Sequence, residues 1–221
     1  MKLVYPEIQS VFHFGNGFFP SAVIENQSLF YRFVKDLNDQ CQGESGNAVL
    51  SRNDNPIAIC GNLELLTNFF PFEINRKKLI SKIITKLEQQ AVAPEFYEKS
   101  QYLLGNIERF IFDLAFQNDF DLEVSKLSVS VLLKSAGICL KENNLSLSEN
   151  ILTYMELMRN NSLASVFVLV NLRSLLDDDT TERFISTCCA YEYNIMLIDN
   201  HEYRKLSKEK RIVIDADFCE F

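Results

Sequence analysis

A chain of 221 residues, 47% of them hydrophobic, carries enough apolar side chains for one large packed domain or two small ones, which excludes a disordered chain. Its net charge of -8 and pI near 4.9 exclude a surface that is basic all over, so any nucleic-acid contact has to be local or made by assembling subunits. The cysteines show no CxxC spacing, the opening "MKLVYPEIQS" lacks the layout of a signal peptide, and no apolar run approaches ~20 residues, so the expectation is a soluble, cytoplasmic protein with free thiols and no membrane partner.

The first third reads as mixed structure. Short apolar runs, "KLVY", "SVFHF", "NAVL" and "IAIC", are broken by Gly15, Gly17, Gly43, Gly46 and Pro56, and "ENQSLFYRFVKDLNDQ" has a helical period. In "AVLSRNDNPIAIC" an Asn/Asp-rich turn between apolar runs predicts a hairpin. From Asn75, placed to cap it, "NRKKLISKIITKLEQQAV" sets Leu79, Ile80, Ile83, Ile84 and Leu87 on one helix face. After Pro94 a second helix carries Leu103, Leu104, Ile107, Phe110, Ile111 and Leu114 at the same period, and the pair predicts an antiparallel helical arm.

"SKLSVSVLLKSAG" predicts a third helix with Ser125 as N-cap and Gly137 as its stop; in "SLSENILTYMELMRN" Ser146 and Glu149 have capping-box spacing. The chain then returns to α/β. "ASVFVLVNL" and "NIMLIDN" read as strands covered on both faces, "DDDTTERFISTCCAYEY" as a helix between them, and "RIVIDADF" as a closing strand. That rhythm predicts a doubly wound parallel sheet. The expected architecture is a discontinuous α/β head, residues 1–70 and 140–221, with an inserted all-α leg, residues 71–139.

An α/β head invites a nucleotide hypothesis, and Asp199 stands at the end of a buried strand as acids do in phosphate-handling ATPases. Yet GxxxxGK[ST] is absent, and "GESGNA" has no following Lys and Ser or Thr. His13 and His201 are the only histidines, too few for His-based metal sets or Ser-His-Asp triads; between apolar neighbours, His13 is expected to pack and hydrogen-bond. Cys188 and Cys189 are expected to be buried as small hydrophobes, and the acids from Asp177 to Glu182 to face a helix N-terminus.

Two features stand out. Asp119, Asp121 and Glu123 alternate in "NDFDLEV"; in an extended segment they would converge on one hard cation, whereas before a helix they would serve as a cap or solvated turn. The segment is not an EF-hand, since Ser130 stands at the twelfth loop position where that motif needs Glu. Lys78, Lys82 and Lys86 recur at four-residue steps, a solvated helix face or a phosphate-tracking edge, and "YRKLSKEKR" carries the same ambiguity.

In sequence order, "KKLISKIITKLEQQ", "NDFDLEV" followed by "SVLLKSAGICLKE", "ENILTYMELMRN", "SVFVLVNLRSLLDDD" and "NIMLID" resemble the ring-forming, DNA-end-binding adaptation protein family of type II-A CRISPR systems, from about Asn75 to the end. The resemblance implies a P-loop-ATPase-like head without nucleotide motifs, an inserted helical leg, and no enzymatic activity. It further implies a homotetrameric ring that threads double-stranded DNA ends, binds calcium, and serves spacer acquisition with the CRISPR integrase and nuclease adaptation proteins and the RNA-guided effector nuclease. Carried onto this chain, calcium falls to Asp119, Asp121 and Glu123, and DNA contact to Lys126 and Lys134, then Lys78, Lys82 and Lys86. Two alternatives stand beside it: a metal-dependent nuclease or degenerate ATPase using the acidic cluster or Asp199, and a scaffold that meets only proteins.

Overall fold

The computed structural model describes residues 1–125, 127–141 and 145–221. The chain divides into two compact units, residues 1–73 with 144–221 and residues 74–143.

In chain order the first unit contains β1 (Lys2–Val4), β2 (Phe12–His13), β3 (Phe19–Ile24), α1 (Gln27–Cys41), β4 (Val49–Arg52), β5 (Asn55–Ile57) and β6 (Leu63–Leu66). The second unit follows with α2 (Lys77–Ala91), α3 (Pro94–Gln117) and α4 (Val129–Ser135). The chain then completes the first unit with α5 (Leu147–Asn160), β7 (Val166–Val170), a short 3-10 helix (Leu172–Ser174), α6 (Asp178–Ala190), β8 (Asn194–Asp199) and β9 (Glu209–Ile214).

The centre of the first unit is a parallel sheet in the order β6-β7-β8-β3-β9. Every residue of β7 is buried, as a run of Val, Phe and Leu demands when both faces are covered. On one face Ala22, Ile24, Val166, Val168, Met196 and Ile198 pack with Leu29, Phe33 and Leu37 of α1 and with Leu3, Phe12 and Leu50. Those last three belong to a small antiparallel sheet of order β2-β1-β4-β5. The other face takes the alternate residues, among them Phe167 and Leu197, under the buried sides of α5 and α6. Tyr154 of α5 reaches that face directly, its hydroxyl donating to Glu64 of β6 at 2.6 Å.

The expected hairpin is β4–β5, with Asn53 and Asp54 both left-handed at φ 51 and 61, the two-residue turn that matches strand twist. Its second strand takes only Ile57 from "IAIC". Two strands, β3 and β6, were not anticipated. Pro20 interrupts the β3 pattern, yet Phe19 N–H donates to Lys208 on the β9 side, so the missing donor of Pro20 faces β8, where pairing begins only at Ser21.

Several expected caps moved. Arg76, not Asn75, occupies the N-cap of α2 without a side-chain bond. Asn75 instead accepts from Leu140 N–H at 2.7 Å and donates to its carbonyl at 3.2 Å, tying the start of α2 to the segment beyond α4. Ser128, not Ser125, caps α4 by accepting from Val131 N–H, and Gly137 follows the helix at φ 63 as a stop should. His13 is exposed on β2, not packed.

The capping box of α5 is formed, with Ser146 and Glu149 each taking the other's backbone N–H. Ser146→Ala is therefore expected to lower unfolding free energy by about 1 kcal/mol, read as a shifted denaturation midpoint, and Ser125→Ala by less than about 0.5 kcal/mol.

Candidate functional site

α3 closes with Phe120 N–H donating to Ala115 O at 3.0 Å and Asp119 N–H to Phe116 O at 3.4 Å, Asp119 being left-handed at φ 54. This puts Asp119 at the negative end of α3, where a carboxylate gains nothing from the helix dipole. The next helix starts at Val129 and holds no acid in its first turn, so Asp119, Asp121 and Glu123 do not serve it as a cap. All three are exposed, and the left-handed backbone takes Asp119 out of an extended alternation. Their oxygens are the donors a hard cation prefers, but among the described residues no group of three or more His, Cys, Asp or Glu is gathered to hold a metal.

Lys78 and Lys86 are exposed and Lys82 is half-buried on α2, a strip spanning about 80° of that helix. Lys134 projects from α4 to Glu88, Nζ to Oε1 3.8 Å, and the same oxygen accepts from Ser130 Oγ at 2.7 Å. Glu88 lies about 120° round α2 from the middle of the lysine strip, so Lys134 meets a different side of that helix. Lys126 lies outside the described residues.

The most exposed apolar helix is α3. Of its 24 residues only Ala115 is buried. Of the six residues at the expected apolar period, Leu104, Ile107 and Ile111 are half-buried on its inner face, whereas Leu103, Phe110 and Leu114 stay exposed. Beside it Phe96, Leu103, Phe110 and Leu114 line up in steps of seven, seven and four, and remain 51%, 51%, 61% and 46% exposed. Spacings of that kind make the seam of helix–helix pairs, and a row of large apolar groups left in water marks an association surface. The heptad step was the available signal.

The connection where a phosphate cradle would be sought follows β3, the first strand of the parallel sheet in chain order. Only Glu25 and Asn26 separate β3 from α1; Asn26 caps Leu29 N–H at 3.0 Å and donates to Ala216 O at 2.8 Å. That turn is too short to wrap a phosphate, and Glu25 would repel one. The glycine-rich "GESGNA" is also occupied: Ala48 exchanges two hydrogen bonds with the Gln40 side chain, and a Cβ on Gly46 would stand 2.7 Å from that side chain.

Asp199 ends β8 fully buried, and among the described residues neither of its oxygens has a hydrogen-bond partner. Burial pushes its carboxyl up to about 7 against the opposing pull of Arg173. Arg173, also buried, lies over the Tyr203 ring at 4.8 Å and places Nη1 3.5 Å from Glu209 Oε1. Glu209 is the contrasting carboxylate. Burial raises its pKa, but hydrogen bonds from Arg211 (2.8 and 2.9 Å), Leu206 N–H (2.7 Å) and Ser21 Oγ (2.6 Å) outweigh it and hold the group below its usual range. Arg173 and Glu209 were not singled out from the sequence; an arginine directly after a wholly apolar strand was the visible signal.

The remaining candidates are structural. Asp177 caps α6 through Thr180 N–H at 2.7 Å, which lowers its pKa, with Asp178 and Asp179 in the first turn. Burial pushes up the thiols of both Cys188 and Cys189, but only Cys188 is fully buried as expected; Cys189 is half-buried.

Folding raises the Asp199 pKa above its ordinary 3.8, so the native state holds an extra proton and stability falls as pH rises from about 4 through about 7. In thermal or denaturant unfolding, Asp199→Asn is expected to gain on wild type across that window and level off above it, by about 2–4 kcal/mol. A difference that does not change with pH would show that the carboxyl is not buried as described.

Comparison with known proteins gives two findings. The sequence profile of a family described as "CRISPR-associated protein (Cas_Csn2)" matches residues 40–218. Among solved structures, a putative ABC transporter ATP-binding protein from Pyrococcus furiosus aligns over 96% of this chain and 94% of its own at 11% identity, with a TM-score of 0.37.

Proposed function

The chain belongs to the CRISPR-associated Cas_Csn2 family, which places it in CRISPR adaptation, and from that premise we propose that it acts as a non-catalytic clamp on double-stranded DNA ends. In this reading copies of the chain close into a homotetrameric ring that works beside the integrase and nuclease adaptation proteins and the RNA-guided effector. The observation that carries it is the α3 row of Phe96, Leu103, Phe110 and Leu114, which nothing in its own unit covers and which another copy's helix would bury. Assembly also reconciles DNA binding with a net charge of -8, because a ring can present its lysines inward and its acids outward.

Contact with the duplex falls to Lys78, Lys82 and Lys86 on α2 and to Lys126 and Lys134. All are point charges suited to phosphates and not to base edges, so the clamp holds duplex form and not sequence. Calcium falls to the acidic turn of Asp119, Asp121 and Glu123, its shell completed by carbonyls, waters or a second copy. The ion would join segments that one chain leaves apart.

Leu103→Glu with Phe110→Glu is expected to reduce the assembly to smaller species in sedimentation without loss of helical circular dichroism. An unchanged sedimentation profile would remove α3 from the interface.

Log affinity for linear duplex is expected to fall with log salt, the slope shrinking by about 0.9 for each of Lys78, Lys82 and Lys86 that contacts a phosphate and is replaced by Gln. Linear DNA should bind with calcium and dissociate on chelation, and covalently closed circles should not bind. Equal binding of circular and linear DNA, indifferent to chelator, rules out threading and the calcium role together.

A further inference from the structure

A pocket of about 270 Å3 opens in the first unit, lined by Arg52, Asn62, Arg159, Ser162 and Ser165 among others, and by no carboxylate. In a chain with 30 acidic against 22 basic residues, two arginines meeting without an acid is an unusual composition for a concave surface. Among the described residues neither guanidinium forms an ion pair. Arg52 donates from Nη2 to Ser165 Oγ at 3.3 Å and approaches Met1 Sδ at 3.9 Å. Arg159 donates from Nη1 to Tyr191 O at 2.8 Å, and its guanidinium lies over the Tyr193 ring at 4.0 Å. Stacking fixes that plane and leaves N–H groups along its edge, the geometry that meets two oxygens of one anion.

Some of the acceptors around the pocket are already engaged. Asn62 O takes Ser165 N–H, Val166 N–H and Ser165 Oγ. The last-turn carbonyls of α5 are closed as well, Leu157 by Asn161 N–H, Met158 by Leu163 N–H and Arg159 by Ser162 N–H. Ser162, left-handed at φ 54, keeps a hydroxyl with no protein partner among the described residues. Glu156 lines the adjoining pocket that shares Arg159, yet makes no ion pair with it. The charge the lining residues bring to the pocket is positive.

We propose that this pocket binds a phosphoryl group, and that its source is the terminal phosphate of a nucleic-acid strand. A terminal phosphate carries nearly two charges at neutral pH and three strong acceptor oxygens, which suits two arginines and a hydroxyl around one half-open concavity. A backbone diester carries one charge and runs on in both directions, which suits a groove. Only the strand-end source rests on the DNA-end clamp proposed above; the phosphoryl site stands on its own geometry.

Thermal unfolding of the full chain in inorganic phosphate, against chloride at equal ionic strength, is expected to show a rise in Tm that Arg52→Gln and the double variant Arg52→Gln/Arg159→Gln both lose. Arg52→Gln decides the matter even if loss of the Arg159 stack unsettles the double variant. In parallel, anisotropy titrations of one short duplex with terminal phosphates or terminal hydroxyls are expected to show about tenfold tighter binding of the phosphorylated form, a preference absent in Arg52→Gln. An arginine-dependent shift in phosphate with equal affinity for the two duplexes overturns the strand-end source and supports a site for free phosphate or a mononucleotide. If neither duplex binds but the phosphate shift remains, the clamp fails and the pocket stands. Equal Tm in phosphate and chloride overturns the site.

Discussion

Everything in the first unit depends on removing β7 and β8 from water on both faces. The five residues of β7 and the last five of β8 are all buried, and a strand with two apolar sides is stable only when layers close over each. One layer is α1 with the small antiparallel sheet; the other is α5 and α6. The elements at the strand ends answer to this requirement. Asn171 is left-handed after β7, takes Ile198 O through its N–H and offers its side-chain oxygen to Asn200 N–H, so the ends of β7 and β8 are stitched where side chains from two layers crowd together.

That crowding explains why two carboxylates on neighbouring ladders behave differently. Glu209 meets four donors and keeps its charge; Asp199, with none, is driven toward the neutral form. Position in the sheet decides the outcome, because Glu209 begins its strand beside a turn that supplies the Leu206 N–H, whereas Asp199 ends one where the Arg173 guanidinium acts through charge and makes no hydrogen bond to it among the described residues. An acid at the end of a buried strand thus takes its character from what the adjoining loops bring to it. Here the loop after β3 brings Asn26, committed to its own helix, and no phosphate cradle.

What could be read from the residues follows the strength of local signals. The strands of "VFVLV" and "NIMLID" and the capping box at Ser146 are local, and they appear where the pattern placed them. β3 and β6 were hidden by tertiary compensation. Pro20 is tolerated because its missing donor faces unpaired space, and Glu64 sits in "LELL" because Tyr154 takes its carboxylate. Caps shifted where a side chain found a distant partner: Asn75 left its helix for Leu140. The lysines were legible as charges but not as a surface, since Lys134 turned to Glu88 on another helix. The arginine pocket joins residues from the hairpin, the end of α5 and the turn before β6, and no window along the chain contains them all.

The division of the chain has a kinetic consequence. β6 pairs with β7 through Leu63 and Val166, and β3 with β8 and β9 through registers such as Val23 with Asp199 and Ile24 with Ile214. No strand from the opening segment can enter the parallel sheet until the chain beyond residue 144 exists, so during synthesis β3 and β6 wait as unpaired edges. Contacts of such long range make for slow folding, and the helices between Leu63 and Val166 shorten the effective loop that must be closed once they form. The insertion also lengthens that wait, because α2, α3 and α4 must all be synthesised before the strands that complete the sheet.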